Sequence, residues 1–183
     1  MPTKHVAKRY IILISGVPGT GKTTLAHAIA PALSARVLEE KSLVKKRHVG
    51  KWNRSTNEYD VDVSALKMEL LKKIHSSKHN LIIEGHLSCE FSLPVDGVVV
   101  THTSLPVLEK RLRARKYSEL KIQENVFCEE EGYCEEAVKK NYTRTPVLSI
   151  DTHRPKKGVQ RRVVHWINHL MKKVNRPRST RAV

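Results

Sequence analysis

The sequence predicts an α/β fold in which a parallel five-stranded sheet lies between two layers of helices. Two observations predict it. Five short apolar runs bounded by turn residues alternate with stretches of helical periodicity, an alternation that yields parallel strands joined by crossover helices. The first run, Tyr10-Ile11-Ile12-Leu13-Ile14, feeds directly into Gly16-Val17-Pro18-Gly19-Thr20-Gly21-Lys22-Thr23. That G-x-x-x-x-G-K-T segment stands in the strand–loop–helix setting that a phosphate-binding loop requires.

Each part of the loop has a physical task. Gly16, Gly19 and Gly21 let the backbone curl so that its N–H groups converge on one anion, and Lys22 adds a mobile cation. The Thr23 hydroxyl offers a hard oxygen ligand for Mg2+. Thr24 opens a helical stretch whose positive N-terminal end faces the same anion. This chain is therefore expected to bind a nucleoside triphosphate, with Gly16, Gly19, Thr20, Gly21, Lys22, Thr23 and Thr24 at the phosphates.

The remaining elements follow in order. Strands are expected over residues 10–15, 36–38, 80–84, 97–101 and 147–150. The first helix follows the loop. A second covers 63–75, with Leu66, Leu70, Leu71 and Ile74 on one face and Asp62 or Ser64 as its cap. A third starts at Ser104 with Pro106 in its first turn and runs to about residue 116. Ser118 is expected to cap a fourth helix reaching residue 140. The last covers 159–174, turning Val163, Val164, Ile167, Leu170 and Met171 inward. Residues 1–174 read as a single domain and 175–183 as a basic disordered tail. Two segments carry no clear core pattern. Residues 39–60 are polar, with Lys41, Lys45, Lys46, Arg47, Lys51 and Arg54, and read as an excursion over the sheet edge. Residues 110–121 hold six bases against the lone acid Glu119, and 124–136 hold six acids and no base. That juxtaposition is either an intrahelical charge face or a phosphate-gripping lid beside an acidic helix.

Composition narrows the functional classes. No apolar run approaches the ~20 residues of a membrane span, and the first residues lack the apolar core of a signal peptide. A cytoplasmic protein is expected, or a nuclear one if the source is a eukaryote. Cys89, Cys128 and Cys134 form no C-x-x-C pair and are expected as reduced thiols. His75/His79 and His165/His169 have i,i+4 spacing but no further ligands nearby in sequence, so no zinc is expected. Charge is the largest departure from the ordinary: 34 Lys and Arg against 18 Asp and Glu, a formal +16. The excess is spread over the body as well as the tail, which favours a polyanionic partner such as RNA.

These residues resemble a known family. Gly16 to Thr24, Tyr59-Asp60-Val61-Asp62 before a helix, Glu84-Gly85-His86 after the third strand, and Arg111-Leu112-Arg113-Ala114-Arg115-Lys116-Tyr117 followed by Glu124-Asn125 are similar to motifs of the adenylate-kinase-related ATPases of small-ribosomal-subunit assembly. These are also called adenylate kinase isoenzyme 6, and the likeness is to an archaeal-type member. It runs over most of residues 10–167. The resemblance implies a three-layer P-loop NTPase fold of adenylate kinase type, with a monophosphate-binding segment at 39–62 and a lid at 110–124. It implies ATP hydrolysis and phosphoryl transfer from ATP to AMP, giving ADP, with Mg2+. It further implies a role in small-subunit maturation, in contact with a platform ribosomal protein and rRNA, by a monomer. Arg115 would be the lid arginine, and Arg154 would lie near the nucleotide base or ribose. Glu84 stands where the family usually carries Asp, and the longer acid would shift a water-mediated hold on Mg2+. No single arginine of 39–62 stands out for AMP, so Lys45, Lys46 and Arg47 are the candidates.

Phosphoryl transfer needs alignment and positive charge around the transferred group. Lys22, Arg111 and Arg115 are the expected sources of that charge, Thr23 and Glu84 the expected metal side, and His86 the expected handler of an attacking water. Two other readings stay open on sequence alone. One is a metabolic small-molecule or nucleoside P-loop kinase, because fold does not decide substrate. The other is an RNA-binding module that uses ATP as a switch.

Overall fold

The computed structural model describes residues 9–54, 58–153 and 156–174. All five expected strands are present, and they form one parallel sheet in the order β2-β5-β1-β6-β7. These are β1 (Ile11–Ser15), β2 (Ala35–Glu39), β5 (Asn80–Glu84), β6 (Gly97–His102) and β7 (Val147–Asp151). The outer two strands are β2 and β7, so β1 lies at the centre, bonded to β5 on one side and β6 on the other. The period of two along each strand then splits the core into two layers. Ile11, Leu13, Leu81, Ile83, Val98 and Val100 face one layer, while Ile12, Ile14, Ile82, Val99 and Ile150 face the other.

Helices cover both faces. α1 (Lys22–Ile29) and α7 (Lys156–Val174) pack on the second layer through Leu25, Ala26, Ile29, Val159, Val163 and Ile167. On the first lie α2 (Glu40–Arg47), α3 (Val63–Ser76), α4 (Leu105–Ala114), α5 (Glu119–Glu130) and α6 (Tyr133–Asn141). The result is the expected three-layer architecture. No helix among the described residues is long and apolar enough to cross a membrane.

Several boundaries differ from the expectation for identifiable reasons. Asp62, rather than Ser64, caps α3: its carboxylate accepts the Ala65 N–H at 3.0 Å. Ser118 does cap α5, accepting from the Lys121 N–H at 3.4 Å. The single helix expected from 118 to 140 is instead two, because Gly132 takes φ 62° and redirects the chain into α6. The segment 39–62 is not structureless. It contains α2 and a two-stranded antiparallel ribbon, β3 (Gly50–Asn53) with β4 (Glu58–Val61). Leu43 and Val44 are the only apolar residues of α2, and both are buried. The tail 175–183 lies outside the described residues.

One buried carboxylate ties α2 to the sheet edge. Glu40, 3% exposed, accepts the Leu87 N–H at 3.2 Å, the Ser88 N–H at 2.9 Å and the Ser88 hydroxyl at 2.6 Å. These donors belong to the turn that follows β5. Gly85 in that turn has no room for a side chain, since a Cβ would fall on the Glu40 carboxylate. Burial raises the carboxyl pKa of Glu40, while the Ser88 and Leu87 donors and the nearby Lys22 charge work to lower it. A second polar link joins β6 to α5 and α6. Glu129 accepts the Thr103 N–H at 2.8 Å, and His102 lies 3.6 Å from Glu129 and 3.4 Å from Glu135. The hydrogen bond to Glu129 raises the imidazole pKa, assisted by the charges of Glu129, Glu135 and Asp151 and opposed by burial.

Two outcomes are expected. Glu40→Ala strands three donors in a buried turn and should cost about 3 kcal/mol in chemical denaturation. Glu40→Gln, which keeps an acceptor oxygen, should cost less. For His102, a folded pKa above the unfolded one means that its contribution is complete below about pH 6.5 and is lost as pH rises through the raised value. His102→Gln should therefore destabilise the protein more at pH 5.5 than at pH 8.5, by up to about 1 kcal/mol after solvent screening. An equal loss at both pH values would show that His102 contributes only packing.

Candidate active site

The carboxyl edge of the sheet is where open α/β folds bind ligands, at the point where strand order reverses. Here β1 exits between β5 and β6, and the chain turns through 16–21 into α1. The glycines earn their positions sterically. Gly16 has φ 146°, and a Cβ there would come within 2.5 Å of the Thr101 carbonyl oxygen. Gly19 has φ 97°, and its Cβ would meet Leu108 of α4 at 2.7 Å. Gly21, also left-handed, caps α1 with no side chain in the way, which leaves the first amides of the helix open to an anion.

The loop is held from outside by side chains. Thr20 donates its hydroxyl to the Val17 carbonyl at 2.8 Å and lies 2.7 Å from the Thr101 hydroxyl. Its backbone N–H also closes on Val17 at 3.2 Å. The Thr20 side chain is thus engaged in holding the loop's shape. Arg111 also braces the loop. It belongs to α4 and donates to the Gly19 carbonyl at 3.2 Å and to the Thr152 hydroxyl and carbonyl at 3.3 and 3.4 Å. Thr152 in turn donates to the Thr20 carbonyl at 2.6 Å. Arg111 fixes the loop by these bonds.

Lys22, Thr23, Glu84 and His86 are brought together. Lys22 is buried, and its ammonium donates to the Val17 carbonyl at 3.0 Å across the mouth of the loop. Desolvation lowers its pKa, opposed by Glu84, Cys134 and Glu40, and Arg115 adds a further lowering charge. Arg115 is exposed at the C-terminal end of α4, and its charge reaches the Lys22 ammonium. Glu84 ends β5 beside Glu39 and Ile14. Burial raises its carboxyl pKa, which the Lys22 charge and the Thr23 hydroxyl offset only in part. His86 opens the turn held by Glu40. Its Nδ1 lies 3.6 Å from a Glu40 oxygen, and its side chain is 49% exposed. Desolvation at the rim and the Lys22 charge push the imidazole down to about 4, so it is neutral at physiological pH and can accept a hydrogen bond.

The donor set suits Mg2+. Thr23 and Glu84 supply hard oxygen ligands at neighbouring ends of α1 and β5, and that ion takes one or two protein oxygens beside phosphate and water. Among the described residues no group of three or more His, Cys, Asp or Glu could hold a metal ion without such help. Thr24 is exposed on the first turn of α1. Lys45, Lys46 and Arg47 are exposed at the end of α2, with Arg47 3.6 Å from Glu69. Arg154 lies outside the described residues. Glu40 is the residue that sequence reasoning missed. Its only sequence signal is a second acid after Glu39 at a strand end, and nothing there announces partners in the turn after β5.

Comparison with known proteins follows the same lines. The family described as an AAA domain matches residues 12–132. A putative adenylate kinase of Thermococcus onnurineus is 34% identical over 119 residues, 65% of this chain, and the match spans 63% of that relative's length. An adenylate kinase isoenzyme 6 homolog of Caenorhabditis elegans is 31% identical over 155 residues, covering 83% of this chain and 85% of the other. Among solved structures, a gluconokinase from Sinorhizobium meliloti superposes with a TM-score of 0.64, covering 91% of this chain and 97% of its own, at 17% identity. That likeness concerns the fold alone. The match across most of both chains, with the loop and strand ends described above, places this chain in the adenylate-kinase-related P-loop family that includes the adenylate kinase isoenzyme 6 homologs.

Proposed function

We propose that the protein is a broad-specificity adenylate kinase that converts ATP and AMP to two ADP, that it also hydrolyses ATP, and that it acts in small ribosomal subunit assembly and rRNA maturation. The observation that carries the enzymatic part is the convergence of Lys22, Thr23, Glu84 and His86 behind a formed phosphate loop. The names of the relatives support the same activity. Partners in this reading are ATP, ADP and AMP, with rRNA and a platform ribosomal protein favoured by the +16 charge. The reading extends to an archaeal-type, monomeric, cytoplasmic protein.

The residues divide the work. Loop amides and Lys22 hold the β- and γ-phosphates, and Lys22 leaves the Val17 carbonyl to do so. Thr23, with Glu84 behind it, would hold Mg2+, which when bound neutralises phosphate charge. Arg115 approaches from the turn after α4 as charge develops, while Arg111 keeps the loop in shape. Lys45, Lys46 and Arg47 would be the candidates to meet the AMP phosphate, and Arg154 the base or ribose. His86, neutral and at the rim, orients the water in hydrolysis. The small-molecule kinase reading rests on fold likeness alone, and fold is shared by many activities.

Lys22→Ala should lower ATP turnover by at least about 100-fold, since a preorganised cation of this kind contributes ~3–4 kcal/mol, with the circular dichroism spectrum unchanged. Turnover at the wild-type level would remove the phosphate-loop assignment. His86→Ala should reduce ATP hydrolysis by about 10-fold or more and spare transfer to AMP, which brings its own nucleophile. Paired assays of phosphate release and ADP formation check this, and equal losses would make His86 a structural residue.

A further inference from the structure

The β3–β4 ribbon stands outside the main sheet, and its chemistry is not used by the phosphate loop. A two-stranded ribbon is marginal on its own. This one is tied at its base by the Asp62 N–H to the Val49 carbonyl at 3.1 Å and by the Val49 N–H to the Val44 carbonyl at 3.2 Å. Trp52 and Tyr59 are register partners on one face. Their rings meet edge to face, centroids 5.0 Å apart at 69°, a geometry that holds the indole in place. Tyr59 and Val61 rest against the core, yet Trp52 remains 49% exposed.

Charge around this indole is unbalanced. The acids of the segment are engaged: Glu58 pairs with Lys121, Asp60 accepts the Asn53 amide at 3.1 Å, and Asp62 caps α3. Most of the bases are not: Arg47 meets Glu69 at 3.6 Å, but Lys51 and Arg54, near Trp52 in the sequence, and Lys45 and Lys46 on α2 make no ion pair among the described residues. A fixed, half-exposed aromatic face among unpaired cations matches one ligand chemistry above others. An unpaired base stacks on the ring while the adjoining phosphates meet the cations, and a duplex, whose base faces are covered, does not fit.

We propose that the β3–β4 ribbon is a docking platform for single-stranded RNA, with a base stacked on Trp52 and backbone phosphates at Lys51 and Arg54. This inference rests on the reading that the protein contacts RNA, and adds the surface that does so.

The test is a titration of the full chain with a ten-nucleotide oligouridylate at several salt concentrations, followed by tryptophan fluorescence and by a labelled-RNA binding assay. The chain has two tryptophans, and Trp166 packs against the core, so RNA should quench the Trp52 component. Trp52→Ala should weaken binding about 5- to 50-fold. Trp52→Phe should keep the affinity within about 2-fold and lose the quench. Lys51→Gln with Arg54→Gln should flatten the log–log salt slope by about 1.4, since each phosphate contact on a single strand accounts for about 0.7. ATP hydrolysis without AMP, measured on each variant, reports whether it is folded. If all variants bind RNA as the wild type does, the ribbon is not the platform, although RNA contact itself stands. If the wild type binds no RNA at low salt, the platform and the RNA part of the proposed function both fall. If AMP alone quenches Trp52 fully and competes with the oligonucleotide, the indole belongs to the acceptor nucleotide site and the proposal is overturned.

Discussion

The turn from β1 into α1 passes through a space with almost no room for side chains, and most of the neighbouring architecture follows from that. Gly16 presses on the end of β6 and Gly19 on Leu108 of α4, so both elements must arrive at fixed heights. Arg111 and Thr152 then grip the carbonyls of Gly19 and Thr20 from α4 and from the end of β7. With its carbonyls engaged outward, the loop can turn N–H groups inward, which is the condition for binding an anion with backbone alone. The strand order serves the same end. Because β1 is central, its exit is flanked by the ends of β5 and β6, and these deliver Glu84 and Thr101 to opposite sides of the loop.

Electrostatics completes what sterics begins. Burying the Lys22 ammonium is costly unless opposite charge is near, and Glu84 and Glu40 both lie within its field. The two acids are not equivalent. Glu84 is held by Thr23 and Lys22, so it faces the phosphate side. Glu40 is occupied by three donors from the turn that carries His86. One carboxylate therefore belongs to the ligand side and the other to the scaffold, although both are buried at the same sheet edge. A single change at Lys22 alters the environment of Glu84, Glu40 and His86 together.

The legible parts of the fold are those whose signal is local. Strand ends such as Asn80 and Glu84 were readable because apolar runs stop abruptly at turn residues, and Ser118 was readable as a cap from its own chemistry. The phosphate loop is legible for the same reason, as its function requires specific residues at fixed spacing. What escaped the sequence depends on distant partners. α2 exposes most of its surface and buries only two apolar side chains against the core, so its helical character carries no periodic trace. The ribbon is held by its connection to Val49 and by the core under Tyr59. Gly132 divides α5 from α6 within a run of otherwise good helix formers. The partners of the Thr20 hydroxyl and the Arg111 guanidinium, Thr101 and Thr152, are likewise far away in sequence and carry no local trace.

A fold shared with a gluconokinase at 17% identity places the phosphates but says nothing about what else is bound. Distinction has to come from surface that the common core does not dictate. In this chain that surface is segregated by charge. α5 and α6 carry acids partly balanced by His102 and Lys139, whereas on α2 and the ribbon Arg47 meets Glu69 and Lys45, Lys46, Lys51 and Arg54 make no ion pair among the described residues. Glu58 joins the two regions through Lys121, and Arg47 joins the basic segment to Glu69 of α3. Net charge of +16 is thus not a uniform coat. Part of it, Lys45, Lys46, Lys51 and Arg54, lies on α2 and the ribbon, where a polyanion held on the ribbon and a nucleotide held by the loop would lie on connected structure.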